Sequence, residues 1–236
     1  MYVHRHGDGP PLLYLHGAGE TAEYAVPLTR LLERDFHVIQ PERRGHGRTP
    51  DVPGPLTYDA MAQDTMALLD RLELGPVPVV GYSDGAIVGL LVAMARPDLL
   101  THLVAIGPNA RVDGLTAETL DWLEHATADS WPLPVRRAYG RLSPDGPGHW
   151  PVVAEKLRLL LLREPTLTDE QLAAITVPTL LVGGERDAIR LDHFAELQAA
   201  IPGSELCILP GAPHELPVAE QELVARLCTD FIRRRA

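Results

Sequence analysis

The sequence predicts an α/β fold: a mostly parallel sheet flanked by helices, with an inserted helical cap. Three observations predict it. Short apolar, often β-branched runs alternate with helix-length amphipathic segments as far as residue 106. The alternation stops at Gly107-Pro108, and residues 109–174 carry helical patterns with no strand. It then resumes to the C-terminus, so the helical block reads as an insertion in a single domain spanning residues 1–236.

Residues 2–6 read as a short strand and Gly7-Asp8-Gly9-Pro10-Pro11 as a turn. Residues 12–15 are a buried strand ending in His16-Gly17-Ala18-Gly19. An amphipathic helix over 25–34 puts Leu28, Leu31 and Leu32 on one face. The strand at 36–39 feeds a glycine-punctuated loop, Arg43-Arg44-Gly45-His46-Gly47-Arg48-Thr49. A long helix over 57–72, capped near Thr57, turns Met61, Thr65, Leu68, Leu69 and Leu72 inward. A strand at 77–81 leads to a helix at 84–96, stopped by Pro97. After the strand at 102–106, the cap holds helices at 115–127, 132–142, 150–163 and 169–175. Strands at 179–182 and 205–209 follow, with helices at 190–200 and 215–234. The functional loops of such a sheet collect at the strand C-terminal ends.

Composition narrows the function. Hydrophobic residues at 45% and charged residues at 22% are globular values. A net charge of −11 argues against nucleic acid, which needs clustered Lys and Arg. The basic run Arg233-Arg234-Arg235 complements a helix C-terminus. No apolar run approaches a bilayer span, since the leucine block at 159–162 is flanked by Arg158 and Arg163, so no membrane partner is expected. The N-terminus lacks an apolar signal region, and a cytoplasmic location is expected. Cys207 and Cys228 lie among apolar residues and read as small buried hydrophobes, with a disulfide left open.

The chemistry centres on Gly81-Tyr82-Ser83-Asp84-Gly85, where strand turns sharply into helix with a serine at the tip. With 4 serines and 20 glycines, chance flanks one serine this way in roughly 3% of chains, so context carries the weight. A serine hydroxyl needs a base, and the base needs an orienting carboxylate. His214 follows the last strand and Asp187 the strand before it, giving the chain order Ser83, Asp187, His214. Glu185 is the rival acid, and Asp187 otherwise reads as a helix cap. The N–H of Asp84 at the helix start and of Ala18 in the first glycine turn are the candidate oxyanion donors. His16 is expected to hold that turn rather than move protons.

Leu15-His16-Gly17-Ala18-Gly19, the 43–49 loop, the serine turn, Gly184-Glu185-Arg186-Asp187 and Gly211-Ala212-Pro213-His214 together resemble the α/β-hydrolase superfamily. The resemblance covers nearly the whole chain outside the cap. It implies an ester-, lactone- or amide-cleaving serine hydrolase with a helical lid, with Ser83, Asp187 and His214 as triad and Ala18 and Asp84 as oxyanion donors, and the expected substrate is a small-molecule ester or lactone. Relatives with Asp as nucleophile are set aside because Ser83 stands there. Two departures stand out. Glu42 replaces the usual Asp, a swap expected to affect packing only, and there is little room for an extra antiparallel strand before Tyr2.

The cap holds Trp122, Trp131 and Trp150, with His125 and His149. Trp150, His149 and Tyr82 are the expected substrate contacts in a mainly apolar pocket. The Asp84 carboxylate has two readings: it complements the helix dipole, or it pairs with a substrate ammonium, as the serine turn's likeness to amino-acid ester hydrolases implies. No cofactor or metal is expected, and the sequence leaves oligomeric state open. Two other classes share the scaffold: a lyase or C–C bond hydrolase, and a hydrolase-like binding protein without turnover.

Overall fold

The computed structural model describes residues 1–234. Arg235, the end of the basic run, lies outside the described residues. Seven strands form one sheet: β1 (Tyr2–His6), β2 (Pro11–Leu15), β3 (His37–Glu42), β4 (Val77–Tyr82), β5 (Leu100–Ile106), β6 (Thr179–Arg186) and β7 (Glu205–Pro213). Their order is β1-β3-β2-β4-β5-β6-β7. β1 runs antiparallel to β3, and every other pairing is parallel. From β2 the chain steps one way to β3 and then back past β2 to β4. That reversal opens a crevice at the strand C-terminal ends, and the loops after β2 and β4 flank it.

Before the helical insertion come α1 (Val26–Leu32), α2 (Tyr58–Leu72) and α3 (Asp84–Ala95). The Thr57 side chain caps α2 by accepting from the Ala60 N–H at 3.2 Å. The insertion between β5 and β6 holds α4 (Ala117–His125), α5 (Leu133–Leu142), α6 (Trp150–Arg163) and α7 (Asp169–Ala173). The chain closes with α8 (Leu191–Ala200), α9 (Leu216–Ala219) and α10 (Gln221–Arg234). The single helix expected over 215–234 is therefore two, broken at Glu220, whose backbone leaves the helical region.

Both sheet faces are covered, and side-chain alternation sorts the strand residues between them. Leu13 and Leu15 of β2, Val79 of β4 and Leu103 and Ala105 of β5 pack with α2 and α3. Their neighbours Leu12, Tyr14, Val80, Val104 and Ile106 pack on the other face with α1 and α10, through Leu28, Leu32, Val224 and Phe231. Burying each such leucine or valine contributes about 1.5–3 kcal/mol, enough to set the strands rigidly under the site.

Glu42 corrects the expectation of a packing-only change. Its carboxylate is fully buried and accepts from the N–H of Ala22 at 3.1 Å, the N–H of Arg48 at 2.6 Å and Arg48 Nη1 at 2.8 Å. It pins the loops after β2 and β3 together by hydrogen bonds. Cys207 and Cys228 are free thiols. Among the described residues no helix is long and apolar enough to cross a membrane.

Candidate active site

Ser83 stands between β4 and α3 with φ 51° and ψ −119°, a region side chains rarely adopt. The turn is possible because its flanks are glycine. A Cβ on Gly81 would lie 2.4 Å from the carbonyl oxygen of Gly85, and one on Gly85 2.1 Å from that of Leu15. The Ser83 N–H donates to Ile106 O at 2.8 Å, anchoring the turn to β5.

The structure brings Ser83, Asp187 and His214 together. His214 Nε2 is 3.0 Å from Ser83 Oγ, and its Nδ1 is 2.5 Å from Asp187 Oδ1. Asp187 accepts further from Gly184 N at 3.0 Å and Ile189 N at 3.1 Å, which fixes its carboxylate across the end of β6. Those four contacts assign Nδ1–H as the donor to Asp187 and leave Nε2 to accept from the serine hydroxyl. Burial disfavours the imidazolium, but the Asp187 charge and hydrogen bond outweigh it and hold His214 above the ordinary histidine range. Burial likewise works against the Asp187 carboxylate, and His214 with the two N–H groups brings it below the ordinary range. Glu185 is exposed and accepts from Gly211 N at 2.7 Å, away from His214.

Ala18 lines the cavity beside Ser83. Among the described residues no acceptor takes the N–H of Ala18 or Asp84. His16 holds the turn: its Nε2 accepts from Arg43 N at 3.1 Å, so its Nδ1 donates to Gly17 O at 2.8 Å. Burial, with Arg43 and His46 beside it, keeps it neutral. The Asp84 side chain points the other way. It is fully buried, its Oδ1 accepts from the Tyr58 hydroxyl at 2.8 Å, and it is absent from the cavity wall. The ammonium-binding reading of Asp84 is corrected on that ground, and the carboxylate remains a complement to the first turn of α3.

Ser83 and His214 open into a cavity of about 220 Å³. Tyr82 lines it as expected, but Trp150 and His149 do not. Trp150 is a layer behind: it meets Trp131 edge-on at 5.9 Å, and its indole N–H donates to Ala128 O at 2.9 Å. His149 faces Asp51 at 2.9 Å and ties the insertion to the 43–52 loop. The aromatic wall is instead Trp131 and Trp122, with Leu115, Leu123, Val135 and Leu161. Sequence reasoning also missed Glu20, Tyr24 and Glu215 on the wall, and Gly107, whose missing side chain leaves room for the His214 ring. Glu20 and Gly107 both sit in loops at strand C-terminal ends, the signal that could have found them. Among the described residues no cluster of three or more His, Cys, Asp or Glu could hold a metal.

A model of the alpha/beta hydrolase family matches residues 12–227. Among curated relatives, "Putative carbamate hydrolase RutD" of Rhizobium rhizogenes is 26% identical, with 100% of this chain and 99% of that protein covered. The sn-1-specific diacylglycerol lipase ABHD11 of Danio rerio is 26% identical over 88% of this chain and 74% of its own. Among solved structures, the enol-lactonase of Burkholderia xenovorans superposes with a TM-score of 0.76 at 19% identity, covering 98% of this chain and 96% of its own. A serine hydrolase involved in carbazole degradation gives a TM-score of 0.81 at 22% identity, covering 99% and 94%. At those identities the structural likeness is one of fold.

Proposed function

The chain belongs to the alpha/beta hydrolase family, and we propose that it is a serine hydrolase cleaving small carboxylic esters or lactones through an acyl-enzyme on Ser83. The observation that carries this reading is the hydrogen-bonded chain from Ser83 through His214 to Asp187, ending in a largely apolar cavity. Ser83 Oγ attacks the carbonyl carbon as its proton passes to His214 Nε2. Asp187 keeps the ring in the tautomer that can accept it and stabilises the imidazolium. The N–H groups of Ala18 and Asp84 take the developing oxyanion, each supplying about 3 kcal/mol of transition-state stabilisation. The intermediate collapses, and His214 returns the proton to the leaving alkoxide. Water, deprotonated by His214, then attacks the acyl-serine and releases the acid.

The insertion over 109–174 acts as the cap, since Trp122, Trp131 and Leu161 wall the cavity from above the sheet. The name of the Rhizobium relative adds carbamates to the candidates, because a carbamate carbonyl accepts the same attack. A cytoplasmic setting belongs to the same reading, and the two free thiols suit a reducing compartment.

The test is labelling by a fluorophosphonate probe, paired with esters graded by acyl length and matched lactones and carbamates. Wild type should label and turn over at least one series, and Ser83→Ala, correctly folded, should do neither. A folded wild type that neither labels nor hydrolyses would remove the proposal in favour of a binding protein. Labelling with esters left untouched would point to lyase chemistry instead.

A further inference from the structure

Glu20 lies two residues beyond Ala18, is 6% exposed, and shares the cavity wall with Ser83 and His214. Its Oε2 accepts the Gly17 N–H at 2.9 Å, the one hydrogen bond to its carboxyl among the described residues. A carboxylate buried this far is ordinarily paired with a cation or several donors. Glu20 has the Gly17 N–H alone as hydrogen-bond donor among the described residues, and no Lys or Arg lines the cavity it shares with Glu215. The rings of Tyr24, Trp122 and Trp131 share the wall. Their faces are electron-rich, and a carboxylate among aromatic rings is the setting that recognises an organic ammonium.

We propose that Glu20 binds an ammonium group carried by the substrate, so that this site selects amine-bearing acyl compounds over their neutral isosteres. The inference rests on the cavity being the substrate site of the proposed hydrolase. The position fits the task, since the loop that offers the Ala18 N–H to the carbonyl also carries Glu20. An amine held there lies on the same molecule as the reacting carbonyl. An anionic substrate finds no Lys or Arg on the wall to pair with.

Binding at Glu20 is linked to protons. Burial, opposed by the Gly17 N–H and by the charges of His214 and Arg43, pushes Glu20 up to about 8. Tyr14, Tyr24, Tyr82 and Asp84 also face it electrostatically. At neutral pH the Glu20 carboxyl of the free protein therefore carries a proton. An arriving ammonium displaces that proton to solvent and leaves a carboxylate–ammonium pair.

The experiment compares ω-amino esters of graded chain length with their deaminated isosteres, in wild type and Glu20→Gln. The variant keeps an amide oxygen for the Gly17 N–H. Taking the ratio of the two substrates cancels the titration of His214. The best amino ester should show a KM lower by about tenfold, and the advantage should shrink to about twofold or less in Glu20→Gln. Calorimetric titration of n-butylammonium into Ser83→Ala, in two buffers of different ionisation enthalpy at pH 7, should show proton release that Glu20→Gln abolishes. No advantage at any chain length, or one that survives Glu20→Gln, overturns the role of Glu20 while leaving the hydrolase intact. If no ester of either kind is hydrolysed, the hydrolase reading fails instead. The butylammonium titration then decides Glu20 by itself: binding with proton release upholds it, and no binding ends it.

Discussion

Tyr58 donates its hydroxyl to Oδ1 of Asp84 across 2.8 Å, and both side chains are buried beneath the serine turn. The Arg43 guanidinium, also fully buried, acts on the same carboxylate. Asp84 is thus tied downward into the core while its N–H stays at the head of α3. The cluster is also a stability risk, because a buried carboxylate that loses its counter-charge keeps its desolvation cost.

Arg43→Leu, which also removes the bond from Arg43 Nη2 to Gly17 O, should therefore destabilise the protein by about 1–3 kcal/mol at pH 7. Burial already pushes the Asp84 carboxyl up against the opposing pull of Arg43 and Tyr58. Without Arg43 it rises further. An acid raised on folding stabilises in its protonated form, fully below the unfolded value near 3.9, and loses that contribution as pH climbs through the folded value. The melting gap between Arg43→Leu and wild type should narrow from pH 7 to pH 5, and adding Asp84→Asn should recover part of it. A gap unchanged by pH and by Asp84→Asn would show that the two residues are not coupled.

The fold was legible because its signals are local: short apolar runs at β2, β4 and β5, the Thr57 cap, the proline after α3, and glycines flanking Ser83. The loops carrying Ser83, Asp187 and His214 were readable for a related reason, since each leaves a strand in known order. The cavity wall was not. The sequence favours Trp150, which follows the flexible Gly146-Pro147-Gly148 joint, over Trp122 and Trp131, and only the packing of the inserted helices puts Trp150 behind Trp131. The same holds for Asp84. Its direction depends on Tyr58 and Arg43, which come from another helix and another loop.

Asp187 and Glu185 can be separated directly. Asp187→Asn replaces an acceptor with an amide that can hold the other imidazole tautomer, so kcat should fall by about 10⁴-fold. Glu185→Gln changes an exposed side chain that bonds Gly211 N, and kcat should stay within about threefold of wild type. The reverse pattern would assign the acid to Glu185.

The pH dependence should carry the mark of Asp187. His214 acts as a base only when neutral, so kcat/KM rises with pH through its ionisation. Because Asp187 holds it above the ordinary value near 6.5, the limb should lie on the alkaline side of that value. In Asp187→Asn the charge that favours the imidazolium is gone, and the residual activity should titrate at lower pH. A limb that stays put in the variant would detach it from the His214–Asp187 pair.

Gly107 offers the most local test of how closely His214 is held. Its φ is +61°, and a Cβ built there would lie 2.8 Å from His214 Cε1 and 3.0 Å from Nδ1. Both neighbours are the ring itself, and the ring is held at Nδ1 by Asp187, so a methyl group forces the imidazole or the backbone at residue 107 to shift and disturbs the 3.0 Å contact of His214 with Ser83. Displacing a reacting group by about 1 Å costs on the order of 10²-fold in rate. Gly107→Ala should lower kcat by about that factor, and slow fluorophosphonate labelling in parallel, with KM little moved. The left-handed backbone alone costs about 1–2 kcal/mol for any side chain, so a control is needed. Gly203 has φ +71° with nothing within 4 Å of its would-be Cβ, and Gly203→Ala carries the backbone cost without touching the site. If the two variants lose similar stability and Gly107→Ala alone loses activity, the ring contact is responsible. Equal activity in both would mean that His214 can shift without consequence, which a base 3.0 Å from its serine should not do.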